Sequence, residues 1–174
     1  MSLSSSPMNP TRAIFLSRAS KTVMVASLGV FGLLVAVNNM MDYGSNYEFV
    51  RHVLSMDTTF PGNALRWRAV SSPVLWHIFY VLIIAAEFLT GAIFSFAALQ
   101  MAQAVKAPAE EFRSARALVP VATALGFMIW FFGFSVVGGE WFAMWQSHVW
   151  NGQEAAFRFF MTMLGVCVFT QQGD

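Results

Sequence analysis

The hydrophobic pattern of this chain consists of four long apolar segments separated by shorter, more polar ones. A helix of about 20 apolar residues is long enough to cross the roughly 30 Å hydrocarbon core of a bilayer. The fourth segment is the shortest, so we place its start near Gly152. The pattern predicts an all-α integral membrane four-helix bundle in a single domain over residues 1–174, with spans at about residues 21–41, 73–103, 117–138 and 152–170.

Two segments between the predicted spans have helical patterns of their own. Ser45 and Glu48 have the spacing of a capping box, and they open a stretch with apolar residues at helical spacing, namely Tyr47, Val50 and Leu54. The segment over residues 138–152 is rich in tryptophan, and one helical face of it carries Trp141, Trp145 and Val149. We expect both segments to form short amphipathic helices that cap the outer (periplasmic) face.

The composition agrees with a membrane protein and excludes several other classes. The 174 residues are 57% hydrophobic and only 11% charged, and the formal net charge is +1. No basic stripe with interleaved aromatic residues is present, so we expect no nucleic acid partner. Cys167 is the only cysteine, which excludes an intrachain disulfide and a cysteine-based metal site.

The basic residues between the spans and at their ends set the predicted orientation. One predicted side carries Arg12, Arg18, Lys21, Lys106, Arg113 and Arg116, and the other carries Arg51, Arg66 and Arg68. Cytoplasmic loops are enriched in lysine and arginine, so the richer side is assigned to the cytoplasm. Both termini are then cytoplasmic, and residues 1–20 form a cytoplasmic N-terminal segment. The first apolar segment is too long for a cleaved signal peptide and reads as a retained anchor.

Glu87 is the strongest chemical signal, because it interrupts the apolar second span. A charged side chain at the bilayer centre costs roughly 2.5–3.5 kcal/mol or more, so Glu87 should face the protein interior. Tyr80, Gly91 and Ala98 share its helical face, and His77 lies nearby. The site Glu87, Tyr80 and His77 is either a proton path or ligand pocket, or a neutral carboxyl that is hydrogen-bonded to a neighbouring helix.

A second candidate site lies at the outer face. It consists of His52, His148, Glu140, Asn38, Asn39 and Arg158. Arg158 follows Glu154 by four residues, so a structural ion pair is expected there, with Glu140 as the alternative partner. The three histidines His52, His77 and His148 are weak candidates for zinc or copper ligands, because they lack the close spacing of a metal motif.

Small residues indicate where the spans pack closely. They are Gly29, Gly32 and Ala36 in the first span, Gly91 and Ala98 in the second, and Gly126 and Gly133 in the third.

Three segments resemble a known family. They are residues 38–58 with Asn-Asn and Arg-His-Val-Leu-Ser-Met-Asp-Thr, residues 137–147 with Gly-Gly-Glu-Trp-Phe-Ala-Met-Trp, and residues 150–154 with Trp-Asn-Gly-Gln-Glu. Together they resemble the bacterial family of predicted small integral membrane proteins, a domain of unknown function with four spans. The resemblance covers nearly the whole chain from about Arg18. It implies the bacterial inner membrane and the same layout, and it brings no activity, ligand or catalytic residue.

Three function classes follow for a chain that lies in the lipid bilayer. The chain lacks a phosphate-binding loop, His-Glu-x-x-His and Gly-x-Ser-x-Gly, so the sequence names no catalytic residue and gives no reason to expect an enzyme. The first class is a non-catalytic accessory or structural subunit of a larger respiratory or transport complex, with a homo-oligomer as another possible assembly. The second is a binding site for a quinone, haem or metal near the outer face, and the sequence does not single out a cofactor. The third is a small proton-coupled carrier that uses Glu87.

Overall fold

The computed structural model describes residues 9–173, and within that range every regular element is helical. The helices are α1 (Pro10–Met41), α2 (Tyr43–Ser55), α3 (Pro73–Gln103), α4 (Ala109–Ala115), α5 (Val119–Phe127), a π-helical segment (Met128–Trp141) and α6 (Gln153–Gln171). Short 3₁₀ turns lie at Arg66–Arg68 and Met144–Gln146. The all-α prediction is therefore confirmed for the described part of the chain.

Three helical stretches in the described range are long and apolar enough to cross a membrane. They are α1 (Pro10–Met41), α3 (Pro73–Gln103) and Ala109–Trp141, which combines α4, α5 and the π-helical segment. They agree with the prediction of an integral membrane protein. α6 is not among these three, because its first turns carry Gln153, Glu154 and Arg158. The first helix begins at Pro10, inside the stretch predicted as a separate segment over residues 1–20, of which residues 1–8 lie outside the described range.

Glycines let α1 and α3 approach backbone to backbone. A methyl group on Gly32 would lie 2.8 Å from Gly91 Cα, and one on Gly29 would meet the backbone of Ser95 at 2.8 Å. Gly126 packs against the sulfur of Met163 in α6. The predicted close packing is confirmed at these positions. Gly133 differs, because the nearest atom to an added methyl group is Met128 O of its own segment at 3.6 Å.

One end of the molecule, which we call the basic end, is closed by buried cations. Arg18 donates to Ala107 O at 2.6 Å, Lys21 donates to Gln172 O at 2.8 Å, and Arg116 donates to Gln172 O at 2.9 Å. All three cations are buried. They bind the last carbonyls of α6 and the turn after α3, where the negative ends of helix dipoles favour positive charge. The start of α1 and the end of α6 therefore lie at the same end.

The opposite end, which we call the loop end, contains α2 and the segments 56–72 and 142–152. Gln146 Oε1 accepts hydrogen bonds from Phe60 N and Asn63 Nδ2, both at 3.0 Å. Arg68 donates to Trp141 O at 3.2 Å, and its guanidinium lies 4.5 Å from the centre of the Trp141 ring. These contacts join the two segments into one layer.

The two helices expected at this end have different outcomes. α2 is present, but it begins at Tyr43, so Ser45 lies inside it and does not form the expected cap. The prediction of a helix over residues 138–152 is wrong. The helical chain ends at Trp141, Ala143 has a positive φ of 53°, and only a 3₁₀ turn follows. The expected helical face of Trp141, Trp145 and Val149 therefore does not form, although all three side chains are exposed.

The third candidate span changes its helical period halfway along. From Met128 it continues as a π-helix, in which each N–H bonds to the carbonyl five residues earlier, as Phe142 N does to Val137 O at 3.0 Å. The wider turn changes which side chains share a face. A period of 3.6 residues therefore does not predict which aromatic residues of this segment point inward.

Candidate functional site

Glu87 faces α1 from the middle of α3, and only 3% of its surface is exposed. Tyr80, Gly91 and Ala98 on the same face are also buried, as the helical spacing predicted. Asn39 Nδ2 donates to Glu87 Oε2 at 2.7 Å. Within residues 9–173 no other group hydrogen-bonds to this side chain, so its second oxygen, Oε1, has no partner among them.

Asn39 connects three helices at this site. Asn46 of α2 donates from Nδ2 to Asn39 Oδ1 at 2.7 Å, and Tyr80 of α3 donates to the Asn39 carbonyl at 3.1 Å. Asn39 lies in the last turn of α1 and is buried, whereas Asn38 is exposed. Of the two adjacent asparagines that the sequence singled out, the structure therefore brings Asn39 to Glu87.

The site contains no cation. Across the described range, residues 9–173, no lysine, arginine or histidine forms an ion pair with Glu87. A buried carboxyl without a cationic partner is stabilised by hydrogen bonds or by a ligand. Asn39 supplies one hydrogen bond.

A cavity of about 200 Å³ adjoins this network. One wall is polar and is formed by Asn39, Asn46, Tyr80 and Glu87, and the facing wall is aromatic. Among the lining residues only Asn46 and Ala155 are exposed, which places the mouth beside the first turns of α2 and α6. The remaining lining residues are Val35, Phe49, Val50, Ile83, Trp130, Phe134, Gly152, Ala156 and Phe159.

An apolar groove of about 290 Å³ lies next to this cavity, between α2, α3 and the π-helical segment. The two spaces share four wall residues: Phe49, Val50, Ile83 and Phe134. Phe49 and Phe134 stack on each other with ring centroids 5.8 Å apart. The groove also has exposed apolar rim residues on the membrane-crossing helices, namely Phe79, Leu82, Met128 and Phe132.

His77 belongs to a separate aromatic cluster at the surface. Its Nδ1 is hydrogen-bonded to the Tyr43 hydroxyl at 2.8 Å, and its ring stacks on Tyr47 with centroids 4.3 Å apart. The Tyr43 ring in turn touches Tyr80, with centroids 4.6 Å apart. His77 and Tyr80 are thus neighbours of one cluster, but no hydrogen bond within residues 9–173 joins His77 to Tyr80 or Glu87.

His52 lies in an ionic cluster on α2. Its Nδ1 is 2.8 Å from Asp57 Oδ1, and its Nε2 is 2.7 Å from Arg51 Nη2, while Arg51 also binds Glu48 at 2.7 Å. The His52 ring stacks on Trp150 with centroids 4.6 Å apart. This cluster fixes α2 to the segment that precedes α6.

The other outer-face candidates are not brought together. Arg158 forms the expected ion pair with Glu154, and His148 and Glu140 are exposed. Over the described part of the chain, no group of three or more histidine, cysteine, aspartate or glutamate side chains is placed to hold a metal ion. The described residues therefore give the metal hypothesis for His52, His77 and His148 no geometric support.

The sequence missed Asn46 and the aromatic wall of the cavity. A signal for Asn46 exists, because it precedes the buried Val50 by four residues and so lies on the same side of α2, one turn closer to the cavity mouth. No comparable signal exists for Trp130 and Phe134, because they belong to the π-helical segment.

A family model described as predicted small integral membrane protein (DUF2165) matches residues 17–173. The chain belongs to this family. The resemblance seen in the sequence is therefore confirmed, and it covers nearly the whole chain. No curated protein and no solved structure matches it. The family description gives a membrane location and no activity.

Proposed function

We propose that this DUF2165 member is a non-catalytic membrane component that binds a small hydroxylated ring in the cavity beside Glu87. One observation carries the proposal: Glu87 Oε1 has no partner within residues 9–173, although the residue is only 3% exposed and lines a cavity of about 200 Å³. A hydroxyl donor from a ligand completes the hydrogen bonding of the carboxyl.

The shape of the cavity supports a ring as the occupant. Trp130, Phe134 and Phe159 line the wall opposite the polar groups, and aromatic side chains favour planar partners. An apolar cavity of about 150 Å³ in another protein holds benzene, so a single substituted ring fits here. A haem has four linked rings and is too large for this space. Of the molecules expected from the sequence, a quinone in its reduced, hydroxyl-bearing form therefore fits better than a haem.

The placement in the membrane is part of the proposal. We propose a four-helix bundle in which α6 is a fourth span, because it starts at the loop end and ends at Lys21 and Arg116 of the basic end. The basic end then faces the cytoplasm with both termini, in the inner membrane of a bacterium. The loop end is periplasmic, with α2 as its outer cap.

Calorimetric titration with para-cresol tests the proposed function. The full-length protein is placed in lipid nanodiscs, and empty nanodiscs supply the background. Glu87→Gln can keep its amide oxygen on Asn39, but it then presents an NH₂ group where the phenol needs an acceptor. We expect its affinity for para-cresol to fall about tenfold, which corresponds to about 1.4 kcal/mol.

The matched control is Glu111→Gln, because Glu111 is exposed in α4 at the basic end. Its affinity for para-cresol should equal that of the wild type. Saturable wild-type binding that Glu87→Gln leaves unchanged would place the phenol elsewhere and remove the proposed role of Glu87. Absence of saturable binding by the wild type would overturn the proposal directly.

A second candidate function is an accessory subunit of a larger respiratory or transport complex, or a homo-oligomer. The observation in its favour is a set of exposed aromatic rings at the loop end: Phe60, Trp67, Trp141 and Trp145, of which Trp67 is 73% exposed. Arg68 and Gln146 hold this surface in place. Tyrosine and tryptophan are enriched where proteins bind one another.

Purification from the native membrane in mild detergent, followed by mass spectrometry, tests this second function. A stoichiometric partner that is lost with Trp67→Ala supports the accessory role. Recovery as a homo-oligomer supports self-association instead of a larger complex, and recovery of the chain alone argues against both assemblies. The third function class, a proton-coupled carrier, has no comparable support. Within the described residues, no hydrogen bond connects His77 to the network of Glu87, Asn39, Asn46 and Tyr80.

A further inference from the structure

The cavity beside Glu87 and the apolar groove are neighbours on opposite sides of one thin wall. The wall consists of the four residues that both spaces share: Phe49, Val50, Ile83 and Phe134. The cavity provides hydrogen-bonding groups at one side, and the groove provides only apolar side chains and glycines. The pair therefore has the two chemical characters of an amphiphile.

We propose that the ligand is a lipid-soluble phenol or quinol with one long apolar chain, whose ring lies in the cavity and whose chain lies in the groove. This inference rests on the proposed function, because the ring is placed by Glu87. The Phe49–Phe134 pair, with ring centroids 5.8 Å apart, closes the direct route between the two spaces, so the proposal requires one of these rings to turn aside when the ligand binds.

The volumes agree with this class of ligand. The cavity of about 200 Å³ holds one ring, and the groove adds about 290 Å³. Together they fall in the range of roughly 300–1,000 Å³ that is typical of pockets for larger organic ligands. A ring alone leaves the groove unused.

The chemistry of the two openings indicates where the hydrocarbon chain of the ligand leaves the binding site. The mouth of the cavity carries the amide of Asn46 at the loop end, beside the segments that contact water or headgroups. The rim of the groove carries Phe79, Leu82 and Phe132 on the spans themselves. A hydrocarbon chain is better solvated by these side chains and by the adjoining lipid than by an amide. The groove is therefore the exit that we assign.

The structure offers a variant that fills the groove and leaves the cavity unchanged. Gly133 lines the groove and does not line the cavity, and the nearest atom to an added methyl group lies 3.6 Å away. A leucine side chain at position 133 therefore enters the groove without a steric conflict at its Cβ. Gly165→Leu is the matched control, because an added methyl group there meets nothing within 4 Å. Ala155→Leu instead narrows the mouth of the cavity.

The experiment compares para-decylphenol with para-cresol, which has the same ring without the long chain. Both are titrated calorimetrically into nanodiscs that contain the wild type, Gly133→Leu, Gly165→Leu, Ala155→Leu or Glu87→Gln. We expect Gly133→Leu to weaken decylphenol binding about tenfold and to leave cresol binding unchanged. Gly165→Leu should change neither, and Glu87→Gln should weaken both.

The outcomes separate the two proposals. If Gly133→Leu weakens the binding of both probes equally, the assignment of the hydrocarbon chain to the groove is wrong. If Glu87→Gln at the same time weakens the binding of both probes, the ring site beside Glu87 still stands. A chain-selective loss in Ala155→Leu shows that the chain leaves through the mouth, which also overturns the assignment. Indifference of both probes to Glu87→Gln overturns the proposed function itself. If Gly133→Leu does not fold, Ala86→Leu fills the same groove from α3 and replaces it.

Discussion

The contact between α1 and α3 predicts a large effect of a single methyl group at Gly91. An alanine Cβ at this position would lie 2.5 Å from Leu33 N, 2.8 Å from Gly32 C and 3.0 Å from Gly29 O, whereas ordinary van der Waals contact begins at 3.4 Å. All three atoms belong to the backbone of α1. No side chain can rotate away, so the two helices have to separate.

The expected magnitude follows from two opposing terms. Overpacking of a well-packed interior costs typically 1–3 kcal/mol, and because only backbone can yield here we expect about 3 kcal/mol. Replacing glycine by alanine in a helix gains roughly 1 kcal/mol of intrinsic helix propensity. We therefore expect Gly91→Ala to lower the free energy of unfolding by about 2 kcal/mol.

The assay is reversible denaturant unfolding in mild detergent micelles, followed by far-ultraviolet circular dichroism. Gly165→Ala is the matched control, because an added methyl group meets nothing within 4 Å. This control should be as stable as the wild type or more stable. If Gly91→Ala is no less stable than Gly165→Ala, the proposed backbone contact between α1 and α3 is wrong.

A double variant provides a second test of the same contact. A methyl group on Gly32 would lie 2.8 Å from Gly91 Cα, so Gly32→Ala forces the same separation of α1 and α3. Once one substitution has moved the helices apart, the second should cost less. We expect the combined loss in Gly32→Ala/Gly91→Ala to be smaller than the sum of the single losses. Simple additivity would mean that the two residues do not share one contact.

Three further predictions concern the site, the loop end and the topology. Asn39→Leu removes the hydrogen bond to Glu87 and should lower the free energy of unfolding by about 1–3 kcal/mol, measured by the same denaturant titration; a stability equal to the wild type would contradict the importance of this bond. Gln146→Ala removes two hydrogen bonds and should speed proteolysis within residues 56–64 without changing the helix content; unchanged cleavage kinetics would contradict the link between the two loop segments. In a variant without the native cysteine, Thr58→Cys in intact spheroplasts should react with an impermeant maleimide and Glu111→Cys should react only after lysis; the reverse pattern would invert the proposed orientation.

The position of Glu87 shows what helical periodicity predicts about this site and what it does not. Its spacing from Tyr80, Gly91 and Ala98 predicts one buried face, and the structure confirms it, because three to four residues per turn fix which side chains share a face. The same spacing does not say which neighbouring helix supplies the hydrogen bond. Asn38 and Asn39 are the same residue type, so the sequence does not distinguish them. Only the rotation of α1 relative to α3 brings Asn39 inward.

The basic residues show a second limit. The sequence predicts that Arg18, Lys21 and Arg116 lie on one side of the membrane, and they do lie at one end of the molecule. The pattern assigned these cations only to a side of the membrane, whereas the structure buries them on carbonyl groups at the ends of α3 and α6. Which carbonyls they reach depends on where these helices end in space, which a count of charges does not contain.

The sequence by itself determined the membrane location, the helical class, the family and the inward face of α3. Long apolar runs and a helical period are local properties, and each short stretch of chain carries them. The tertiary structure alone decided the partner of Glu87, the aromatic wall over it and the shared wall between cavity and groove. These features join α1, α2, α3, α6 and a π-helical segment, so they depend on the packing of distant segments and on a change of helical period that the residue pattern does not record.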